Sequence, residues 1–140
     1  MSLGNLAAGA LLNHQFMNAA LTQPTNIFVS LHTGNPGEDG QTANEVSTSG
    51  TAYARFSTDG TYWANATNAD PAVILNALAI AFAVATGAGF GTVTHVGLWL
   101  HLTSTAEANY IGMYTLSSSK TIAAGDTISF AASALAFSLD

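Results

Sequence analysis

Residues 28–56 read FVSLHTGNPGEDGQTANEVSTSGTAYARF, and the pattern at the two ends of this stretch decides the fold class. At its start Ile27, Val29 and Leu31 alternate with Phe28, Ser30 and His32, the period-two signature of a strand. The pattern then breaks at residues 34–50, where Pro36 and repeated Gly and Ser favour irregular backbone. Strand character resumes at AYARF. Two strands joined by a long polar loop are a β reading. A loop longer than ~12–15 residues without structure of its own is usually functional or disordered, so the loop is a candidate assembly segment.

The rest of the chain extends the β reading. AYARFSTDGTYWANAT is expected to form a hairpin, with Asp59-Gly60 at a type I′ turn. In residues 77–84, Leu78, Ile80, Phe82 and Val84 alternate with four alanines. Alanine favours helices, but the bulky/small alternation at period two favours a strand. GAGFG turns the chain, TVTHVGLWLHL and NYIGMYTL are strands, and SSSKTIAAGDT is a turn region before a last strand-like run containing Ile128, Phe130, Leu135, Phe137 and Leu139. The one helix candidate is residues 3–21. Leu3, Leu6, Ala10, Met17 and Leu21 fall near one stripe, Leu11 and Leu12 widen it, Ser2 is a possible N-cap, and Pro24 bars continuation. Because this helix is apolar nearly all round, it is expected to be buried, on its own sheet or against another subunit.

The expected architecture is therefore mainly β. It is an antiparallel β-sandwich or jelly-roll-like domain with one N-terminal α-helix, spanning 1–140 as a single domain with the β part at 26–140.

Composition narrows function. Apolar residues make up 49% of the chain and charged residues only 7%, against roughly 25% charged in ordinary soluble domains. A surface of Ala, Thr, Ser, Asn and Gly is cheap to desolvate, which points to a surface covered by neighbours in an oligomer or lattice. The net charge is −6, with Arg55 and Lys120 the only permanent cations. Nucleic-acid binding needs clustered cations, and anionic lipid is disfavoured for the same reason. No nucleic acid and no membrane are expected as partners. The N-terminus lacks a basic n-region, so no signal peptide is expected. Residues 72–85, the most apolar run, are too short to span a bilayer and are interrupted by Asn76. The absence of Cys removes disulfides and thiolate chemistry.

Catalytic and metal readings find little support. His95 and His101 are read on one face of one strand, ~20 Å apart. His14 sits on the helix and His32 ends a strand, so all four read as core or interface histidines and no metal is expected. Glu38, Asp39 and Glu45 lack the regular spacing of a calcium loop, and no G-x-S-x-G elbow occurs. GAGFG lacks the Lys and Ser/Thr of a phosphate loop. Tyr53, Phe56, Tyr62 and Trp63 could form a sugar platform but fit core packing better. The reading is of a non-enzyme without cofactors. Arg55 carries the most specific expectation: it pairs with Glu45 and pins the loop or a seam between subunits. The candidate assembly residues are Leu6, Leu11 and Met17 on the helix, Glu38, Asp39 and Glu45 on the loop, and Arg55.

VSLHTGNPGEDGQTANEVSTSGTAYAR at 29–55, ATGAGFGTVTHVGLW at 85–99 and SKTIAAGDTISFAASALAFSLD at 119–140 together resemble a family of small virion proteins of tailed bacteriophages. Its members are commonly labelled tail fibre proteins and are similar to capsid cement or decoration proteins. The Ala-rich ALAIAFAVATG departs from the family's more polar alternation. The resemblance implies a structural virion protein. The first reading is a homotrimeric capsid cement protein bridging major capsid protein subunits, and the alternative is a tail or tail-fibre component involved in host attachment.

Overall fold

The computed structural model describes residues 2–139. The architecture is mainly β, with antiparallel pairing throughout and one helix near the N-terminus. Strand β1 (Ser2–Leu3) leads into helix α1 (Asn5–Phe16), followed by β2 (Ile27–His32) and β3 (Phe56–Thr58). Then come β4 (Ala72–Leu75), β5 (Ile80–Ala81), β6 (Gly91–Trp99), β7 (Tyr110–Ile122), β8 (Ser129–Phe130) and β9 (Ala136–Leu139). Five strands form one sheet in the order β1-β7-β6-β2-β3, while β4-β9 and β5-β8 form two smaller sheets.

The period-two pattern of β2 sorts its side chains onto two faces. Val29 and Leu31 lie opposite Leu98 and Val96 on β6 and enter the apolar core with Val93, Ile80, Phe82, Phe130 and Phe137. The small sheets close this face. Phe137 of β9 meets Tyr114 of β7 edge-on with ring centroids 5.6 Å apart, and Phe82 stacks on Tyr53 at 6.2 Å. Phe28, Ser30 and His32 point to the other face, opposite Trp99, Gly97 and His95. There the core is polar.

Several local expectations are corrected. Helix α1 ends at Phe16 rather than Leu21, because Asn18 takes a left-handed conformation (φ 53°) just past the C-cap Met17, a common helix stop. Ser2 does not cap it. Gly4 is the N-cap, Ser2 pairs with Met113 in β1, and the Asn5 amide donates to the Glu38 carbonyl. The helix is not buried on its own sheet: none of its residues is buried.

Asp59-Gly60 does not turn a hairpin. The Asp59 carboxylate accepts from the Thr61 amide at 2.8 Å and caps a 3-10 turn at Gly60–Tyr62. Strand β3 pairs with β2, and Trp63 bridges to Asn76. Asp side chains compete for nearby amides in this way, and here the cap wins over the left-handed turn.

The 77–84 alternation holds only at its centre. Ile80 and Phe82 are buried, but Leu78 and Val84 are 47% and 51% exposed. Asn76 donates to the Leu78 carbonyl and bends the chain there. The Ser-rich run at 117–119 is strand rather than turn. Between the pairs His95↔Thr115 and Val93↔Lys120, β7 carries more residues than β6 and bulges. The turn falls at Ala123–Asp126, where Gly125 supplies φ 92° and the Asp126 carboxylate accepts from the Ala123 amide. Finally, His95 and His101 do not share a strand, since β6 ends at Trp99.

Candidate functional site

The loop at 34–50 does not float. Pro36, Gly40 and Val46 are buried. The Thr33 amide donates to the Asn44 carbonyl and the Val46 amide to the Leu31 carbonyl, making an antiparallel bridge between His32 and Glu45. The loop therefore returns to the edge of β2 just past the end of β3. Where β3 no longer reaches, the Tyr53 hydroxyl accepts from the Leu31 amide at 3.0 Å and donates to Glu45 Oε1 at 2.9 Å. Burial raises the Tyr53 hydroxyl pKa, and the Glu45 charge raises it further.

Arg55 and Glu45 pair as expected from the sequence, and the pair is bidentate. Nε donates to Oε1 at 2.8 Å and Nη2 to Oε2 at 2.7 Å. Nη1 donates to the His101 and Ser104 carbonyls at 3.0 and 2.9 Å, and the guanidinium stacks 3.9 Å from the Trp99 ring centroid. The side chains are 4% and 12% exposed. A planar fork suits this role as an ammonium would not. One residue thus ties the 34–50 loop, the end of β6 and the 101–104 turn together.

Beneath the pair lies a polar chain across β2 and β6. Trp99 Nε1 donates to Ser30 Oγ at 2.9 Å, and Ser30 Oγ lies 2.7 Å from His32 Nε2. Burial lowers the His32 pKa to about 4; Glu45 opposes the shift, while Arg55 and His95 add to it. His32 Nδ1 is buried without a hydrogen-bond partner. A Ser hydroxyl beside an imidazole has the elements of a nucleophile and its base, but both residues are 0% exposed and nothing can reach them in this conformation. Gly97 explains the close fit, because a Cβ there would lie 2.5 Å from Ser30 Oγ and 2.8 Å from His32 Nε2.

The remaining candidates divide. Glu38 and Asp39 are exposed at the loop's tip, next to the start of α1. Tyr110 holds that tip by donating to the Gly37 carbonyl at 3.1 Å. Leu6 and Leu11 line a groove of about 270 Å³ between α1 and β7, whereas Met17 lies beyond the helix end, 73% exposed. Tyr53, Phe56, Tyr62 and Trp63 belong to the core or pack against it. Among the described residues, no three His, Cys, Asp or Glu side chains gather as metal ligands would, and no helix is long and apolar enough to cross a membrane.

Sequence reasoning missed two features. One is the Trp99–Ser30–His32 chain, whose signal was the polar side chains on the second face of β2. The other is an apolar groove of about 320 Å³ where the end of β7 meets β4 and β9, lined by Ile27, Trp63, Ile74, Leu98, Ile111 and Phe137, with Leu3 at its edge.

The geometry describes a β body with an apolar helix covered on one side only, without a solvent-accessible catalytic constellation among the described residues. The sequence model of a family described as podophage GP4 fiber I protein gp80 matches residues 2–138. The chain belongs to this phage fiber family. No curated protein matches the chain. The Gp80 match takes in the elements described above except Leu139, the last residue of β9, from β1, which anchors α1, to most of the pairing of β9 with β4. The protein is thus of a virion structural family, as the resemblance implied.

Proposed function

We propose that the chain is a self-associating structural subunit of a phage fibre, acting through surface contact rather than catalysis. The observation that carries this reading is the apolar helix α1, which the fold holds at its N-terminal end through β1 and leaves bare at its C-terminal end, where Leu12 and Phe16 are exposed. The family's description as a fiber protein and the 7% charged composition support it. In this reading no cofactor is needed, and neither nucleic acid nor membrane is a partner. A homotrimer suits it, because a head-to-tail contact repeated about a three-fold axis closes.

The second reading is a capsid cement protein bridging major capsid protein subunits on the head. What favours it is the same broad uncharged surface, which could lie on a shell without desolvating ions. Many copies would then add modest contacts as avidity.

Copy number per purified virion, measured by quantitative mass spectrometry against the major capsid protein, separates the two. A handful to a few dozen copies supports the fibre reading. A near-stoichiometric ratio overturns it in favour of cement.

A further inference from the structure

We propose that the exposed apolar end of α1 in one copy seats in the groove between β7 and β9 of a second copy. This deepens the reading of a self-associating subunit and rests on it.

The helix needs a cover. It has 12 residues, no side-chain N-cap and no acidic residue in its first turn, and isolated helices of this length are marginal in water. Leu6, Leu12, Phe16 and Met17 are 51%, 58%, 83% and 73% exposed. Leu12 and Phe16, four residues apart, share one face of the helix, and soluble monomers rarely leave large apolar patches bare.

The same chain supplies a receiver. The walls of the β7/β9 groove are apolar side chains alone, including Trp63, Ile74 and Phe137. At about 320 Å³ it suits the ends of side chains such as Phe16 and Met17, not another helix. Met is well adapted to irregular gaps. The groove's own helix does not fill it, since Phe16 stands in solvent. Leu3 and Ile111 border both this groove and the one under α1, so the two grooves adjoin on one side of the chain. Repeated head-to-tail from copy to copy about a closing axis, the contact covers the helix end and the groove of every subunit.

Charge favours a copy of the same chain. At −6, two copies would repel if their carboxylates met. No Asp, Glu, Lys or Arg occurs before Glu38 or between Asp70 and Glu107, and neither groove is lined by one. The helix end therefore enters the groove without setting a like charge against one in its lining or stripping an ion of water. Phe16 alone can bury up to ~150–250 Å², and the exposed Leu12 and Met17 with the groove rim add to it towards the ~800 Å² per partner of a standard interface.

The test uses sedimentation equilibrium of the full chain together with two engineered cysteines, which are unambiguous because the chain has none of its own. The unmodified chain should be oligomeric at micromolar concentration. Phe16→Asp should weaken association at least ~30-fold while leaving the circular dichroism spectrum unchanged. Phe16→Cys chains mixed with Ile74→Cys chains and treated with a short bismaleimide should give a cross-linked pair containing one of each.

A monomer at every concentration overturns the proposal, as does an oligomer indifferent to Phe16→Asp. Cross-links only between identical chains overturn the groove as receiver. Copy number on the virion is measured separately, so a chain that is present in the fibre yet monomeric in solution sinks this inference and leaves the fibre assignment standing.

Discussion

Arg55 and Glu45 share two hydrogen bonds, 2.8 and 2.7 Å long, at a site where both side chains are nearly withdrawn from solvent. Their importance lies in what breaking the pair would leave behind. Glu45 alone would be a buried carboxylate, and the His101 and Ser104 carbonyls would lose their donor. Removing one partner of such a pair typically costs 3–5 kcal/mol.

Arg55→Met is therefore expected to destabilise the chain by about 3 kcal/mol, lowering the thermal midpoint by roughly 10 °C. The double variant Arg55→Met/Glu45→Leu should recover part of the loss, because it removes the stranded charge. Calorimetry of the three chains checks this. An unchanged midpoint and unchanged assembly in Arg55→Met would show that the pair holds nothing in place.

His32 gives the fold an acid limit. Its folded pKa of about 4 lies below the ordinary 6.5 of the unfolded chain, so between these values the unfolded state binds more protons. This contribution to stability is complete above pH 6.5 and is lost as pH falls towards 4, on the order of 3 kcal/mol in all. Urea unfolding at pH 7.5, 6, 5 and 4.5 should show falling midpoints, and His32→Gln should flatten the part of the fall that His32 causes. Equal slopes in the two chains would move the acid sensitivity to other groups.

Asn76 is 0% exposed and joins three segments. Its Nδ2 donates to the Leu78 and Ala131 carbonyls at 2.9 and 2.7 Å, and its Oδ1 accepts from the Leu135 amide at 2.8 Å. Asn76→Leu keeps the approximate volume but orphans three backbone groups. A loss of about 3 kcal/mol or more is expected, read as a lower urea midpoint with an unchanged m-value. A loss below about 1 kcal/mol would mean that water replaces the amide.

The sequence makes Arg55 legible because a scarce cation beside an acidic loop has few partners to choose from. The same holds for the β character of the chain, since alternation in β2 maps directly onto its two buried faces. The Asp59-Gly60 turn was not legible: Asp followed by Gly serves a hairpin and a side-chain cap equally well, and only the distant pairing of Trp63 with Asn76 decides between them. The bulge in β7 is equally hidden, because it depends on how many residues β6 offers opposite it. For α1, an all-round apolar surface foretells burial and does not say against what. The fold answers half of that question by covering the helix on the β7 side and leaving its C-terminal end bare.

The pairing of β1 with β7, Ser2 opposite Met113 and Leu3 opposite Gly112, bears on when α1 is fixed in place during folding. The segment that carries α1 leaves the ribosome early, yet its anchor is synthesised only after most of the chain. Closing so long a loop is entropically slow, so α1 gains its seat late. The sticky helix is thus presented in its fixed orientation only by a subunit whose central sheet is already complete. In the proposed reading of α1 as the assembly contact, recruitment would then select finished subunits over half-made ones.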